Sequence, residues 1–296
     1  MDHPLISFGI VLLGSILCFC RKPTLLGGIG WLSLVAMSLC ALLFRPHPLI
    51  CLLIFAGAYL CLFLIALAFL WIVCARVDLN KPQEKDDPVY RRIMYVYIEA
   101  LISLVLVRLH TKGLEKAPKE GRFLLVCNHL FLADPGILLH CFKKSQLAFI
   151  TKMENWDLPI INKFMHKILC QGVDRDNDRQ SLKAILKCIQ LIKEDEVSIG
   201  VFPEGYTSKD GKVHHFRPGV FKIAQKANVP IVVCTLQNTQ MIFKNLAKLR
   251  KTDVHVHLVD VIPAEALKGK STVEISDMVY EMMIDDLGEE FRYTEN

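Results

Sequence analysis

A histidine and an aspartate five positions apart carry the chemistry of this chain, in the run Asn128-His129-Leu130-Phe131-Leu132-Ala133-Asp134-Pro135. Pro135 disfavours a helical conformation for the residue before it, so Asp134 is expected as a helix N-cap with proline in the first turn. His129 then lies on a loop from which the chain can turn back, letting the carboxylate reach one imidazole nitrogen. Such a carboxylate fixes the tautomer and leaves the other nitrogen free to take a proton. Farther along, Val201-Phe202-Pro203-Glu204-Gly205 ends another apolar run and supplies a second piece of the constellation. Taken singly, His129 reads as an ordinary loop histidine, Asp134 as a cap, and Glu204 as a group holding its own turn through backbone hydrogen bonds. Their order and context carry the catalytic reading.

A histidine held by an aspartate is a general base and needs no serine or cysteine as its client. Cys127 is two positions away, in the preceding strand, and is expected to point away from the loop face. The client is then a substrate hydroxyl, and the electrophile must arrive activated, as a thioester does. Lys152, Arg175, Lys209, Lys212, Arg217 and Lys222 gather around the proposed cleft and suit a phosphate. His214-His215 and the alternating His255 and His257 have no carboxylate or cysteine at ligand spacing, so no metal site is expected.

The elements that must hold these residues alternate from residue 112 onward. Residues 123–127, 197–202 and 231–236 are short apolar or β-branched runs, 254–261 alternates as a strand should, and 179–193 and 216–227 have helical spacing. This predicts an α/β domain with a mostly parallel sheet flanked by helices, over residues 112–296. In such folds sites lie at the loops beyond strand C-termini, where His129 and Glu204 both fall.

Upstream the composition changes. The whole chain is 52% hydrophobic with 35 basic and 30 acidic residues, yet residues 4–74 carry almost no charge. Apolar runs at 4–20, 25–44 and 48–74, divided by Arg21-Lys22-Pro23 and Arg45-Pro46-His47, predict an N-terminal transmembrane region of three helices over residues 1–77. Met1-Asp2-His3 lacks a basic start and Cys18-Phe19-Cys20 is a poor cleavage site, which argues against a signal peptide. Gly27, Gly28 and Gly30 suggest close packing in the second helix. Arg21 and Lys22, and then Arg76, Lys81, Lys85, Arg91 and Arg92, place the remainder of the chain on the cytoplasmic side. Residues 78–88 read as a linker. Residues 89–111 read as a helix embedded in the membrane interface, its arginines at the headgroups; the rivals are a fourth crossing and a buried helix of the soluble domain. The net charge of +5 suits an anionic membrane or substrate and is too small to argue for nucleic acid. Eleven cysteines without metal-ligand spacing read as reduced, mostly buried thiols.

Over about residues 91–263 the chain resembles the 1-acylglycerol-3-phosphate acyltransferases (lysophosphatidic acid acyltransferases) of glycerolipid synthesis, with four motifs in order. Asn128-His129 through Asp134 resembles the first, which implies that His129 is the base and Asp134 orients it. Gly172-Val173-Asp174-Arg175 resembles the second, whose arginine helps hold the acceptor phosphate. Phe202-Pro203-Glu204-Gly205 resembles the third, in which Glu204 and Gly205 shape the acceptor site. Val229-Pro230-Ile231-Val232 resembles the fourth. Lys152 looks like the family lysine near the phosphate, and Phe216-Arg217-Pro218-Gly219 is also family-like. One departure stands out: Tyr206, Thr207 and Ser208 occupy the place of threonine, arginine and serine, so a phosphate-binding arginine is missing.

The resemblance implies acyl transfer from acyl-coenzyme A or acyl carrier protein to the 2-hydroxyl of lysophosphatidic acid, giving phosphatidic acid without a cofactor. Membrane lipids are the expected partners, and the expected setting is an integral membrane protein with a cytoplasm-facing catalytic domain, in a bacterial plasma membrane or a eukaryotic endomembrane. Two alternatives stay open. One is the same chemistry on glycerol 3-phosphate or another lysophospholipid, motivated by Thr207. The other is a membrane-anchored lipid-binding protein without efficient catalysis, against which the intact His129, Asp134 and Glu204 argue.

Overall fold

A computed structural model describes residues 24–44, 47–174 and 177–294 of the chain, which divides into two compact units, Met1–Asp78 and Leu79–Asn296. In the first, α1 (Leu25–Phe44) and α2 (Pro48–Ala75) pack against each other. Pro48 opens α2, where its missing N–H costs nothing, and the His47 ring accepts the Leu49 amide at 3.3 Å. Leu43, Phe44, Leu53 and Trp71 are among the many exposed apolar side chains, and no polar face interrupts them. Both helices are long and apolar enough to cross a membrane. The expected segment 4–20 lies outside the described residues.

The second unit begins with irregular chain and then α3 (Pro88–Leu104), capped by Asp87, whose carboxylate accepts the Val89 and Tyr90 amides at 3.1 and 3.2 Å. Two sequence expectations change here. Arg91 does not reach toward headgroups: it is 4% exposed, pairs with Asp86 through two bonds of 2.7 Å, and donates to the Leu147 carbonyl at 2.9 Å. Nor is 89–111 one helix. The chain leaves α3 at Leu104, Leu106 takes φ 57°, and residues Val107–Lys112 form strand β1. Val89, Val96, Leu101 and Leu104 on α3 are exposed, whereas Arg91, Met94 and Ala100 face inward.

The core is a seven-stranded sheet in the order β1-β7-β6-β2-β5-β3-β4. After β1 come β2 (Leu124–Cys127), β3 (Leu147–Lys152), β4 (Gln171–Val173), β5 (Ser198–Val201), β6 (Ile231–Gln237) and β7 (Thr252–Ile262). Only the β6–β7 pairing is antiparallel, so β2 to β6 all run one way. Helices α4 (Asp134–Cys141), α5 (Ile161–Lys167), α6 (Asp178–Lys193), α7 (Lys222–Ala227), α8 (Ile242–Leu246) and α9 (Thr272–Leu287) connect and flank the strands. The central strands β2 and β5 are buried along their whole length, which is why they read as continuous apolar runs rather than alternating ones. The fold expected for the C-terminal region is therefore the one found.

Candidate active site

Parallel register brings the site together. Val126 of β2 pairs with Val201 of β5, so continuing each strand by three residues sets His129 level with Glu204 at the C-terminal edge of the sheet. Asn128 ends β2 by a side-chain substitution for backbone pairing: its amide donates to the Leu236 carbonyl at 3.0 Å and accepts the Leu236 N–H at 2.7 Å. The main chain is thereby free to turn, and His129 starts the loop.

His129 Nδ1 lies 2.8 Å from Asp134 Oδ2. The same carboxylate oxygen accepts the amides of Leu130 and Phe131 at 2.7 and 2.8 Å, so one buried oxygen closes the whole loop. Asp134 does this from the first residue of α4. The N-cap is Ala133, one residue earlier than the proline rule suggests, because the reach back to His129 decides the geometry. With Nδ1 committed to Asp134, Nε2 has no partner among the described residues, and the His129 side chain is 16% exposed. The ring lies on Phe202 at 4.2 Å between centroids, and Phe202 lies on Phe149 at 5.6 Å. Gly200 makes the stack possible, since any β-carbon there would overlap the Phe149 ring. Neither aromatic was foreseen from sequence; a glycine inside a fully buried strand was the available signal.

Glu204 is 1% exposed and shapes the site from behind. Its Oε1 accepts the His129 amide at 2.9 Å and its Oε2 the His214 amide at 3.0 Å, fastening the base loop to the segment after the third motif. Burial pushes its carboxyl up to about 7, against the pull of those two amides. The turn continues through Gly205 at φ 81°, where a β-carbon would come 3.0 Å from Arg217 Nε. The Arg217 amide donates to the Pro203 carbonyl at 2.8 Å, and the Ser208 amide to the His129 carbonyl at 2.8 Å.

A cleft of about 490 Å³ opens beside this turn, lined by Lys152, Tyr206, Thr207, Lys209, Asp210 and His214. Lys152, at the end of β3, thus joins the site, and Thr207 lines it where the resemblance would place arginine. Burial works against the charge on Asp210, but bonds from the Lys212 amide, the His214 ring and the Ser208 hydroxyl hold its carboxyl down at about 2. Arg217 is exposed against Gly205 and does not line the cleft. Arg175 lies outside the described residues, just beyond β4. Cys127 is fully buried with its thiol pushed far up by burial, which removes it as a nucleophile. No cluster of metal-ligating side chains occurs among the described residues.

Residues 108–237 match the family model described as Acyltransferase. The chain is 28% identical over 197 residues to the 1-acyl-sn-glycerol-3-phosphate acyltransferase of Borreliella burgdorferi, an alignment spanning 64% of this chain and 78% of that one. It is 31% identical over 158 residues to the chloroplastic 1-acyl-sn-glycerol-3-phosphate acyltransferase of Arabidopsis thaliana, covering 52% of this chain and 43% of the relative. In fold it is similar to the crystal structure of the 1-acyl-sn-glycerophosphate (LPA) acyltransferase PlsC from Thermotoga maritima, with a TM-score of 0.55 at 22% identity over 75% of this chain and 89% of the other. An aspartate-held histidine at the edge of the sheet thus lies within the stretch that matches the Acyltransferase model, in a chain similar in sequence to 1-acyl-sn-glycerol-3-phosphate acyltransferases and similar in fold to PlsC.

Proposed function

We propose that the chain transfers a fatty acyl group from a thioester to the 2-hydroxyl of 1-acyl-sn-glycerol 3-phosphate, giving phosphatidic acid for phospholipid synthesis. The observation that carries this is the 2.8 Å bond from His129 Nδ1 to the buried Asp134, which leaves Nε2 as the free basic nitrogen. Nε2 takes the hydroxyl proton while the oxygen attacks the thioester carbonyl. The tetrahedral intermediate collapses with cleavage of the C–S bond, and the imidazolium returns its proton to the departing thiolate. Asp134 stabilises that imidazolium. Neither the base nor the electrophile calls on a metal or cofactor. Lys152 and Lys209 on the cleft supply charge for the acceptor phosphate, with Arg175 as the family resemblance implies, while Glu204 and Gly205 hold the turn beside the cleft. The donor is acyl-coenzyme A or acyl carrier protein.

Membrane lipids are the natural partners. The two apolar helices suit an integral membrane anchor with the catalytic unit on the cytoplasmic side, and the exposed apolar residues of α3 suit a helix lying in the interface. The decisive experiment measures thiol release from oleoyl-coenzyme A in nanodiscs containing 1-acyl-glycerol 3-phosphate, for wild type and His129→Ala. Phosphatidic acid from wild type alone supports the reaction and its base; equal turnover by the variant refutes the base. Thr207 in the cleft favours a second reading, in which another lysophospholipid or glycerol 3-phosphate is the acceptor, and an acceptor panel in the same assay separates the two.

A further inference from the structure

No step above uses the segment that follows α9, yet that segment packs against a residue of the cleft wall. His214 lines the cleft, and its ring is held by Asp210 at 3.0 Å, by the face of Tyr293 at 4.1 Å between centroids, and by Tyr206 at 5.4 Å. Tyr293 arrives there because its neighbours pair with the strand-like residue before His214. The Val213 amide donates to the Phe291 carbonyl at 2.8 Å, and the Tyr293 amide donates to the Val213 carbonyl at 3.2 Å, forming a parallel bridge between Val213 and Arg292. The Tyr280 hydroxyl, on α9, donates to the same Val213 carbonyl at 3.1 Å. Val213 is fully buried in a small separate core with Ile284 and Leu287, covered by Phe216, Tyr280 and Phe291. Arg292 fastens the segment outside, bonding Glu281 at 2.7 and 2.8 Å and Glu289 at 2.7 and 2.9 Å.

These contacts run on into the catalytic loop. The His214 amide is one of the two donors to Glu204, and the His129 amide is the other. A shift of His214 therefore moves a cleft wall and also one anchor of the carboxylate that holds the base loop. Rings in close contact transmit position well because moving one forfeits contact with the other over much of its face.

Resting on the acceptor reading above, we propose that Tyr293 is a positioning residue of the acceptor cleft: its ring sets His214, and with it the Glu204 carboxylate shared with the His129 loop, in the geometry that receives the lysolipid head group. The flat face is what matters, so phenylalanine serves and alanine does not.

The test uses the full chain in nanodiscs as wild type, Tyr293→Ala and Tyr293→Phe, with two readouts. Steady-state kinetics should show the KM for 1-acyl-glycerol 3-phosphate raised roughly five- to tenfold in Tyr293→Ala, the KM for oleoyl-coenzyme A unchanged, and Tyr293→Phe within about twofold of wild type. Amide hydrogen exchange should be faster in Tyr293→Ala over the peptides containing His129 and His214, and restored by phenylalanine. An acceptor KM in Tyr293→Ala within about twofold of wild type overturns the proposal, as does a fall in kcat that only tracks lost folded protein. If wild type releases no thiol with this acceptor, the reaction reading fails by itself. Exchange then decides the positioning claim: faster exchange at both sites in Tyr293→Ala supports it, and unchanged exchange overturns it.

Discussion

Asp134 and Glu204 are two buried carboxylates with opposite tasks. Asp134 gathers three donors on one oxygen and faces the ring of the base, so its charge is available to the imidazolium. Asparagine can keep the two loop amides satisfied but supplies no charge; Asp134→Asn is expected to lower kcat by about a hundredfold or more while KM changes little, as steady-state assays would show. Glu204 receives one backbone amide on each oxygen, so glutamine must turn its NH2 toward one of them. Leaving that buried donor unmet costs about 1–3 kcal/mol, and Glu204→Gln should lose both stability and turnover. The same residue gives a pH signature. Its native carboxyl titrates at about 7 against an ordinary 4.5, so between those values the folded state holds a proton that the unfolded chain has released. Stability should fall as pH rises through that window, and the slope should vanish in Glu204→Gln; urea midpoints across pH 4.5 to 7 would check both. His129, Asp134 and Glu204 were legible in the sequence because each sits in a short motif. The way Glu204 works was visible only as an alternative, since nothing local in Phe202-Pro203-Glu204-Gly205 shows that both oxygens are spent on distant amides.

Among the elements, β5 controls the site through the space left above Gly200. Phe149 fills it, Phe202 lies on Phe149, and His129 lies on Phe202. Gly200→Ala should therefore cost about 1–3 kcal/mol by overpacking and should also depress kcat, because the displaced ring pushes on the stack beneath the base. Thermal unfolding beside kinetics would test this, and an unchanged kcat in a destabilised protein would disconnect the stack from catalysis. The strands that sequence reading found, β2, β5, β6 and β7, are the apolar or alternating ones. It missed β1 because the apolar run of α3 continues into it, and the break is made by Leu106 at φ 57°, a conformation no composition announces. It missed β4 because three residues have no period, and it named Lys152 without the strand β3 that bears it. Arg91 misled for a related reason: an arginine before an apolar helix resembles a headgroup anchor, but Asp86, the Tyr95 hydroxyl and the Leu147 carbonyl turn it inward.

At the scale of the whole molecule, the described apolar helices and the sheet belong to separate compact units. Every strand and every site residue named above lies in Leu79–Asn296, so a fragment of residues 79–296 should fold with its own cooperative transition in circular dichroism. It retains the exposed Val89, Val96, Leu101 and Leu104 of α3. The fragment should therefore float with vesicles yet wash off in alkaline carbonate, whereas the full chain should resist the wash, which separates lying on a membrane from spanning it. Retention of the fragment after carbonate would assign the anchor to the second unit instead.

The order of partners along the chain has a consequence for biosynthesis. The His129 backbone is fastened by groups at positions 204 and 208, and the first of these is fastened in turn by position 214, whose ring lies against Tyr293 and whose neighbour Val213 bonds Phe291. Ribosomes deliver residues from the amino end, so every clamp on the histidine emerges after it does. A nascent chain should expose its apolar helices before its sheet and stay catalytically silent until residues 204–293 are free of the ribosome.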